Sequence, residues 1–180
     1  MVRDILLWPD PVLAKHAAPV DAVDAAVQAL VRDLFDTMYA APGVGLAAPQ
    51  VGVLSQVIVL DTRARQPESR PLAMINPRIV ERSGTTTYRE GCLSIPGEAE
   101  EVVRAERVTV SYLDEQGEPQ QLLCDGLLAI AVQHETDHLL GTVYPDHLAP
   151  LTRALIKRRM RRRKRERVRE RAPVRLCDAL

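Results

Sequence analysis

The chain has 180 residues, of which 46% are hydrophobic and 3% aromatic, enough for one domain with a mainly aliphatic core. No run of about 18 apolar residues occurs, which excludes a membrane-spanning helix. The N-terminus lacks the apolar stretch of a signal peptide, and the odd number and wide spacing of the three cysteines argue against a disulfide framework. We therefore expect a cytoplasmic protein.

The formal net charge of zero conceals two oppositely charged parts. Residues 153–175 contain thirteen Lys or Arg and two Glu, a net charge of +11, and the remaining residues carry the balancing −11. This asymmetry divides the chain into a body, residues 1–152, and a basic C-terminal arm, residues 153–180. Such an arm favours an anionic partner.

The predicted elements, in chain order, are a helix, several short strands, and two further helices. Apolar residues at helical spacing predict the first helix over residues 24–41. A final helix is predicted over residues 150–170. Patterns of alternating or continuous apolar residues predict strands over 56–61, 72–75, 78–87, 102–113 and 120–124. We expect an α+β domain with short, mostly antiparallel strands around a central helix.

Residues 42–50 form a loop between the first helix and the first strand. Gly43 and Gly45 permit positive φ angles and close approach of the backbone to another group. A phosphate-binding loop is one candidate, but no Lys-Ser/Thr pair follows, which argues against a nucleotide-binding loop. A loop that contacts a substrate and ends in the polar Gln50 is one interpretation, and a simple turn is the other.

The central helix carries the pattern HExxH, which begins at His134. On a helix, His134 and His138 share one face, so both imidazoles can bind one metal ion. Glu135 lies where a general base for metal-activated water would lie. Asp125 as N-cap and Gly141 as C-terminal stop favour the helix. The alternative is a pair of ordinary core histidines.

A catalytic metal ion needs a third protein ligand if it is to keep one open position. His147 follows the pattern, but Pro145 argues against a continuous ligand helix. Cys92 is the other candidate, since its glycine-flanked segment with Glu90 is a poor context for a purely apolar cysteine. The alternative for Cys92 is a small buried hydrophobic side chain. A generic HExxH peptidase with His147 as ligand therefore stays open at this point.

Three short motifs occur in the chain at wide separations. They are GxGLAAxQ at Gly43–Gln50, EGCLS at Glu90–Ser94 and QHExDH at Gln133–His138. Together, in this order and spacing, they resemble the bacterial peptide deformylases. The chain is similar to that family over residues 3–165.

The resemblance implies a metal-dependent hydrolase that removes the formyl group from the N-terminal formyl-methionine of new polypeptides. It assigns this catalysis to residues 1–152 and makes Cys92, His134 and His138 the ligands of one divalent metal ion. The family is taken to use Fe²⁺ in the cell. Zn²⁺, Ni²⁺ and Co²⁺ also suit a thiolate with two imidazoles.

The resemblance also assigns the groups that act on the substrate. Glu135 is implied to be the general base, and the Gln50 side chain and the Leu93 N–H are implied to stabilise the oxyanion. The methionine pocket and peptide site are implied to be lined by Val44, Gly45, Gly91, Leu127 and Ile130. For Leu127 and Ile130, plain core packing is the alternative interpretation.

Charged residues close to the motifs suggest a supporting network. A buried carboxylate normally needs a partner. We expect Arg104 to bridge Glu90 and Asp137, and thereby to hold the metal ligands in place. The alternative is that Arg104 is exposed at the surface.

Two segments depart from the family pattern. Residues 97–101 are acidic where many family members carry a basic residue that contacts substrate beyond methionine, which leaves the downstream preference open. The arm is unusually basic, and the resemblance implies that it docks on the ribosome. Beyond Ile156 its basic residues cover every helical face, so we expect a solvated helix with no apolar stripe against the body.

Two other interpretations of the arm remain. One is a solvated run of charge without a specific partner. The other is a nucleic-acid-binding protein that acts through residues 153–175 and not an enzyme, although scarce aromatic residues argue against base stacking.

Overall fold

A computed structural model describes the backbone of residues 1–171 and the side chains of residues 1–166. The end of the predicted arm, residues 172–180, lies outside the described residues. No helix in the described part of the chain is both long enough and apolar enough to cross a membrane.

Three α-helices and seven strands form the described part of the chain. The helices are α1 (Ala25–Ala40), α2 (Gly126–Leu139) and α3 (Pro150–Arg171). The strands are β1 (Gly45–Ala47), β2 (Val57–Leu60), β3 (Leu72–Ser83), β4 (Thr86–Cys92), β5 (Ile95–Arg104), β6 (Arg107–Leu113) and β7 (Pro119–Cys124). All strand pairs are antiparallel, which confirms the predicted α+β class.

Two sheets organise the body. Five strands form one sheet in the order β1-β2-β3-β6-β7, and β4 pairs only with β5 in a separate hairpin. The five-stranded sheet is covered on both faces, as the alternating side chains of β2 show. Val57 and Val59 pack in the cluster of α1, whereas Ile58 and Leu60 pack in the cluster of α2. The continuous apolar run that predicted β2 therefore reflects burial on both sides.

The HExxH helix α2 lies in the interior, with nine of its 14 residues buried. Its N-terminus is not capped by the Asp125 side chain, contrary to the sequence interpretation. Instead the Leu128 N–H donates to Gln66 Oε1 at 3.1 Å, so the loop after β2 satisfies this helix end. At the other end Gly141 has φ of +70°, which confirms the predicted glycine stop.

Two of the predicted strands are wrong in extent. The segment predicted over 78–87 is divided by Gly84, whose φ of +68° turns the chain from β3 into β4. The segment predicted over 102–113 is divided at Ala105. The Gln133 side chain on α2 takes both backbone groups of Ala105, at 3.0 and 2.9 Å, in place of a strand partner. This contact lets the chain leave the hairpin and enter the five-stranded sheet.

The predicted break at Asn76-Pro77 is also wrong, because β3 runs through it with a shift of register. Asn76 has φ of +52°, and its side chain exchanges two hydrogen bonds of 2.8 Å with the backbone of Val20. An asparagine with this left-handed conformation and a side-chain partner is typical of a β-bulge.

The basic helix α3 also docks on the body beyond Ile156, contrary to the prediction of a solvated helix there. Ile156 and Met160, one turn apart, are buried in a cluster with the hairpin and the N-terminal segment. Lys164 Nζ forms an ion pair of 2.7 Å with Asp10, and Lys157 Nζ lies 5.7 Å from the ring centroid of Trp8. The sequence pattern failed here because a stripe of two apolar side chains suffices when long basic side chains pack beside it.

Candidate metal centre and active site

Cys92 lies at the end of β4, where the hairpin turns back into β5. Cys92 and Ile95 are paired across the hairpin, with Leu93 and Ser94 in the turn between them. This tight turn holds the Cys92 thiol against α2, and its Sγ lies 3.3 Å from Nε2 of His138. Cys124, the other cysteine among the described residues, is the last residue of β7 and is buried in the core cluster that includes residues of α2.

The imidazoles of His134 and His138 lie one helical turn apart, with ring centroids separated by 5.1 Å. The ligand atoms of Cys92, His134 and His138 all lie within 4.8 Å of one another. A soft thiolate and two imidazoles are the donors that Zn²⁺ or Fe²⁺ prefers, and three protein ligands leave an open position. The geometry and chemistry of this cluster therefore fit one divalent metal ion.

His147 does not join the cluster. Its Nε2 lies 2.7 Å from Oδ2 of Asp137, and it is partly exposed. The alternative of an HExxH peptidase with His147 as third ligand therefore has no support in the described part of the chain.

The network predicted around Arg104 is present. Arg104 is buried, and its Nε–H donates to Glu90 Oε1 at 2.6 Å while its Nη1 donates to Asp137 Oδ2 at 2.7 Å. Glu90 in turn accepts a hydrogen bond from Nδ1 of His134 at 2.8 Å. This bond orients the ring so that Nε2 of His134 faces the cluster.

Burial and neighbouring charges set the protonation of these groups. Burial raises the pKa of Glu90, but hydrogen bonds from His134 and Arg104 outweigh it and lower the pKa below its usual value. Burial lowers the pKa of His134, but its contacts with Cys92 and Glu90 outweigh it and raise the pKa. The Glu90 carboxylate would favour a metal cation on that ring as it favours a proton. Burial, together with the nearby His134, lowers the pKa of His138 to about 3, which leaves the neutral imidazole that a metal requires.

Glu135 is 5% exposed, and its Oε2 has no hydrogen-bond partner among the described residues. Burial raises the pKa of Glu135 to about 7. A buried carboxylate oxygen without a partner is costly unless a ligand or water satisfies it. Gly45 makes room for this side chain, since a Cβ built on Gly45 would lie 2.5 Å from Glu135 Oε1. Neither Gly43 nor Gly45 has a positive φ, so the glycines of this motif serve close approach only.

Gln50 and Leu93 flank the thiol of Cys92. The Ala47 N–H donates to Gln50 Oε1 at 2.8 Å, which fixes the orientation of the amide. The Gln50 Nε2 then points at Ser94 Oγ, 3.1 Å away, and at Cys92 Sγ, 3.5 Å away. Leu93 lies in the turn, outside the paired positions of the β4–β5 hairpin, so its N–H takes no part in the hairpin ladder.

A cleft of about 540 Å³ opens onto this cluster. Its lining includes all five residues predicted for the methionine and peptide site, namely Val44, Gly45, Gly91, Leu127 and Ile130. Ile130 is nevertheless only 4% exposed, so it packs in the core as well as facing the cleft.

Several contacts at the site escaped the sequence interpretation. Tyr144 stacks on His134 with ring centroids 6.3 Å apart, and its buried hydroxyl has no partner among the described side chains. Arg65, on the loop after β2, lines the cleft and donates to the Tyr88 hydroxyl at 2.8 Å. Neither residue belongs to a motif, so no signal in the single sequence could have found them.

Comparison with known proteins identifies the family. The family model for polypeptide deformylase matches residues 2–154. Peptide deformylase 1 of Burkholderia multivorans is 51% identical over 158 residues, 87% of this chain and 86% of that protein. Peptide deformylase 2 of Xanthomonas campestris is 49% identical over 87% of this chain and 92% of its own length.

Solved structures agree with these relatives. A peptide deformylase from Legionella pneumophila is 44% identical, covers 96% of this chain and all of its own, and superposes with a TM-score of 0.86. One from Ehrlichia chaffeensis, in complex with actinonin, is 37% identical over 91% of this chain and 98% of its own, with a TM-score of 0.88. A family match over most of the chain, together with the Cys92, His134 and His138 cluster at the cleft, leads to one conclusion. The chain belongs to the polypeptide deformylase family.

Proposed function

We propose that the enzyme removes the formyl group from the N-terminal formyl-methionine of new polypeptides. One observation carries this proposal: the cleft ends at a Cys92, His134 and His138 cluster beside a buried Glu135 carboxylate oxygen that has no partner among the described residues. A base beside a metal site, at the end of a peptide-sized cleft, is the arrangement that hydrolysis of a terminal amide requires.

Cys92, His134 and His138 would hold one divalent metal ion, which we propose to be Fe²⁺ in the cell, with Zn²⁺, Ni²⁺ or Co²⁺ able to replace it. Bound there, such an ion supplies Lewis acidity and lowers the pKa of water. Glu90 supports the cluster through Nδ1 of His134, and Arg104 keeps Glu90 ionised. The three ligands come from two elements, the β4–β5 hairpin and α2, so the fold must be complete before the site exists.

Glu135 moves the proton in our proposal. Its carboxylate takes a proton from the attacking water, and a new C–O bond forms at the formyl carbon. The C–N bond then breaks, Glu135 gives its proton to the departing amine, and formate and a free N-terminus are the products. A pKa near neutrality suits a group that must first accept and then donate a proton.

Gln50 and Leu93 stabilise the negative charge that develops on the formyl oxygen. The Gln50 amide is already oriented by Ala47, and its Nε2 points toward Cys92 before any substrate binds. The Leu93 N–H is free of the hairpin ladder, one residue from Cys92. Donors fixed in advance cost no reorganisation during the reaction, and one of them commonly contributes about 10²- to 10³-fold in rate.

The methionine side chain is proposed to occupy the apolar part of the cleft, against Leu127 and Ile130 of α2. Ile130 lies one turn and Leu127 two turns before His134 on the same helix. Val44, Gly45 and Gly91 would border the peptide backbone. An apolar pocket placed beside the reacting centre explains how a methionine terminus could be selected.

Hydrolysis of formyl-Met-Ala-Ser by the metal-loaded protein tests the proposal. We expect release of formate, and we expect Cys92→Ala to abolish it together with metal content. Cys124→Ala is the matched control, because it removes a cysteine that lies in the core outside the cluster. A metal-loaded protein without activity on formyl-peptides, or a Cys92→Ala variant with full activity, would contradict the proposal.

We also propose that α3 docks on the ribosome, where the substrate emerges, which would place the enzyme in the cytoplasm. The exposed arginines of α3 support this proposal: Arg158, Arg161, Arg162 and Arg165 project away from the buried side of the helix. Replacing these four arginines by glutamine should abolish co-sedimentation with ribosomes and leave hydrolysis of a short formyl-peptide within about twofold, since none touches the cleft. Unchanged co-sedimentation would contradict the docking role.

A further inference from the structure

The rim of the cleft is built partly by β5, and α3 contacts β5 at that rim. Gly97 and Glu98 line the cleft. They follow Ile95, the cross-strand partner of Cys92, so they lie close to the metal cluster along the strand. The register shifts between the Cys92–Ile95 and Gly91–Ala99 pairs, so residues 96–98 bulge out of β5 beside Cys92. A charged side chain at this rim would therefore contact the peptide shortly after its first residue.

The acidic residue at this rim is neutralised by α3. Arg159 Nη1 forms an ion pair of 2.8 Å with Glu98 Oε2. The Glu98 side chain is 12% exposed, so its carboxylate is largely shielded from solvent and paired with Arg159. Glu100 and Glu101 lie further along β5 and do not line the cleft. The acidic segment of β5 thus contributes little negative charge to the rim itself.

A second arginine of α3 reaches the same rim. The guanidinium of Arg163 fills the space beside Gly97. A Cβ added to Gly97 would lie 2.7 Å from Nη2 of Arg163. Gly97 has φ of +76°, and because it has no side chain, the Arg163 guanidinium can lie directly against its backbone. Arg163 is exposed and pairs with no carboxylate among the side chains described, up to residue 166. It is a positive charge held at the rim by the docking of α3.

The remaining charges around the cleft have the same sign or are neutralised. Arg65 and Arg89 line it on the side of β4. Glu90 also lines it, but it is buried and bound to Arg104. Apart from Glu135, which acts at the reacting centre, the lining of the cleft therefore carries no unpaired carboxylate among the described residues.

We infer that Arg163 is a specificity-determining residue, which favours substrates that carry Asp or Glu within three residues after the formyl-methionine. The inference rests on the proposed deformylation. A guanidinium next to the path of the peptide attracts a carboxylate and repels an ammonium group. Both effects raise the ratio of kcat/KM for an acidic substrate to kcat/KM for a basic one. The helix α3 thereby helps to select substrates through a side chain far from the metal ligands in sequence.

The test compares kcat/KM for formyl-Met-Ala-Asp, formyl-Met-Ala-Ala and formyl-Met-Ala-Lys, each amidated at its C-terminus. Wild-type enzyme should prefer them in that order. Arg163→Gln should lower the Asp-to-Lys ratio about threefold to fivefold, the range expected of one solvent-exposed charge pair. The loss should fall on KM, because Arg163 binds a part of the substrate that does not react. Arg163→Lys keeps the charge and should keep most of the preference.

Arg161→Gln is the matched control. It removes an equal charge from the same helix, about 200° around the axis from Arg163. The ratio should be unchanged in this variant. A ratio that Arg163→Gln leaves at the wild-type value, or that Arg161→Gln lowers equally, would overturn the inference.

The wild-type enzyme gives a second measurement that does not depend on any variant folding. Its Asp-to-Lys ratio should fall toward one as ionic strength rises from about 0.05 to 0.5 M, because screening shortens the reach of an exposed charge. A ratio that does not depend on salt would overturn the inference. The neutral peptide separates the two proposals: no turnover of formyl-Met-Ala-Ala contradicts the deformylation itself, whereas turnover with an unmoved ratio contradicts only the role of Arg163.

Discussion

The helix α2 lines the cleft and α3 packs against β5 at its rim, yet the two helices use charged side chains in opposite ways. In α2, Glu135, His134 and His138 are buried, and each faces a specific partner or the site. In α3, only Ile156 and Met160 are buried among the side chains described, and the basic residues lie at the surface. The comparison teaches that burial decides what a charge can do. A desolvated group reacts or ligates, whereas a solvated one contributes a weak and screened attraction.

The largest expected effect is on α2. Glu135→Gln should lower kcat for formyl-Met-Ala-Ser by about 10²- to 10⁴-fold, the range for a lost general base, while the metal stays bound. The amide keeps the shape of the side chain but cannot take a proton from water. Steady-state kinetics, with metal content measured on the same sample, checks this. Near-wild-type turnover in a metal-replete sample would show that Glu135 is not the general base.

The next effect contrasts a buried ion pair with an exposed one. Arg104→Gln should lower the free energy of unfolding by about 3 kcal/mol, because the buried Glu90 and the partly buried Asp137 would lose their shared cation. Arg159→Gln, which breaks the ion pair of α3 with Glu98, should cost less than about 1 kcal/mol, since Arg159 is half exposed. Urea titration of both variants measures the difference. Equal losses would mean that the buried network is not more important for stability than the surface pair.

The docking of α3 can be tested through its apolar side. Met160→Ala should lower the free energy of unfolding by about 2–3 kcal/mol, since Met160 is completely buried. Leu155→Ala is the matched control on the same helix, because Leu155 is 40% exposed, and its loss should be much smaller. Thermal unfolding of both variants distinguishes the docked helix from the solvated one that the sequence pattern predicted. An unchanged free energy of unfolding for Met160→Ala would support the solvated helix instead.

The smallest of these effects concerns the space around Glu135. Gly45→Ala should lower kcat about tenfold, because the new Cβ would displace the carboxylate from its position. Gly91→Ala is the control for kcat, since its Cβ would meet only the Glu98 backbone oxygen at an ordinary 3.7 Å. Any effect of its place beside the peptide should fall on KM. Kinetics of both variants at matched metal content checks the prediction. A Gly45→Ala variant as active as Gly91→Ala would show that the close approach of Gly45 to Glu135 does not matter for catalysis.

The same comparison explains how far the sequence could predict the molecule. The ligands of α2 follow from a helical period, so the spacing of His134 and His138 is sufficient to place both on one face. Cys92 could be proposed as third ligand through motif resemblance, and Arg104 could be paired with Glu90 by the rule that buried charges need partners. All three placements agree with the contacts of the structure.

Other features depend on contacts that a single sequence does not contain. The end of β5 is set by Gln133 bonding to Ala105 across the fold, and nothing local at Ala105 marks a turn. Gly84 did carry a local signal, since Ser-Gly is a common turn pair, and it was outweighed by the strand pattern around it. The docking of α3 was missed because the packing of Met160 depends on the surface opposite, not on the helix itself.

X-ray absorption at the edge of the bound metal tests the central claim most directly. The claim is that Cys92, His134 and His138 together hold the ion, and that His147 does not. We predict one sulfur and two imidazole ligands in the wild-type protein. Any metal that the Cys92→Ala variant retains should have no sulfur ligand, and the spectrum of His147→Ala should be unchanged. A wild-type spectrum with only nitrogen and oxygen ligands, or one that loses an imidazole in His147→Ala, would contradict the claim.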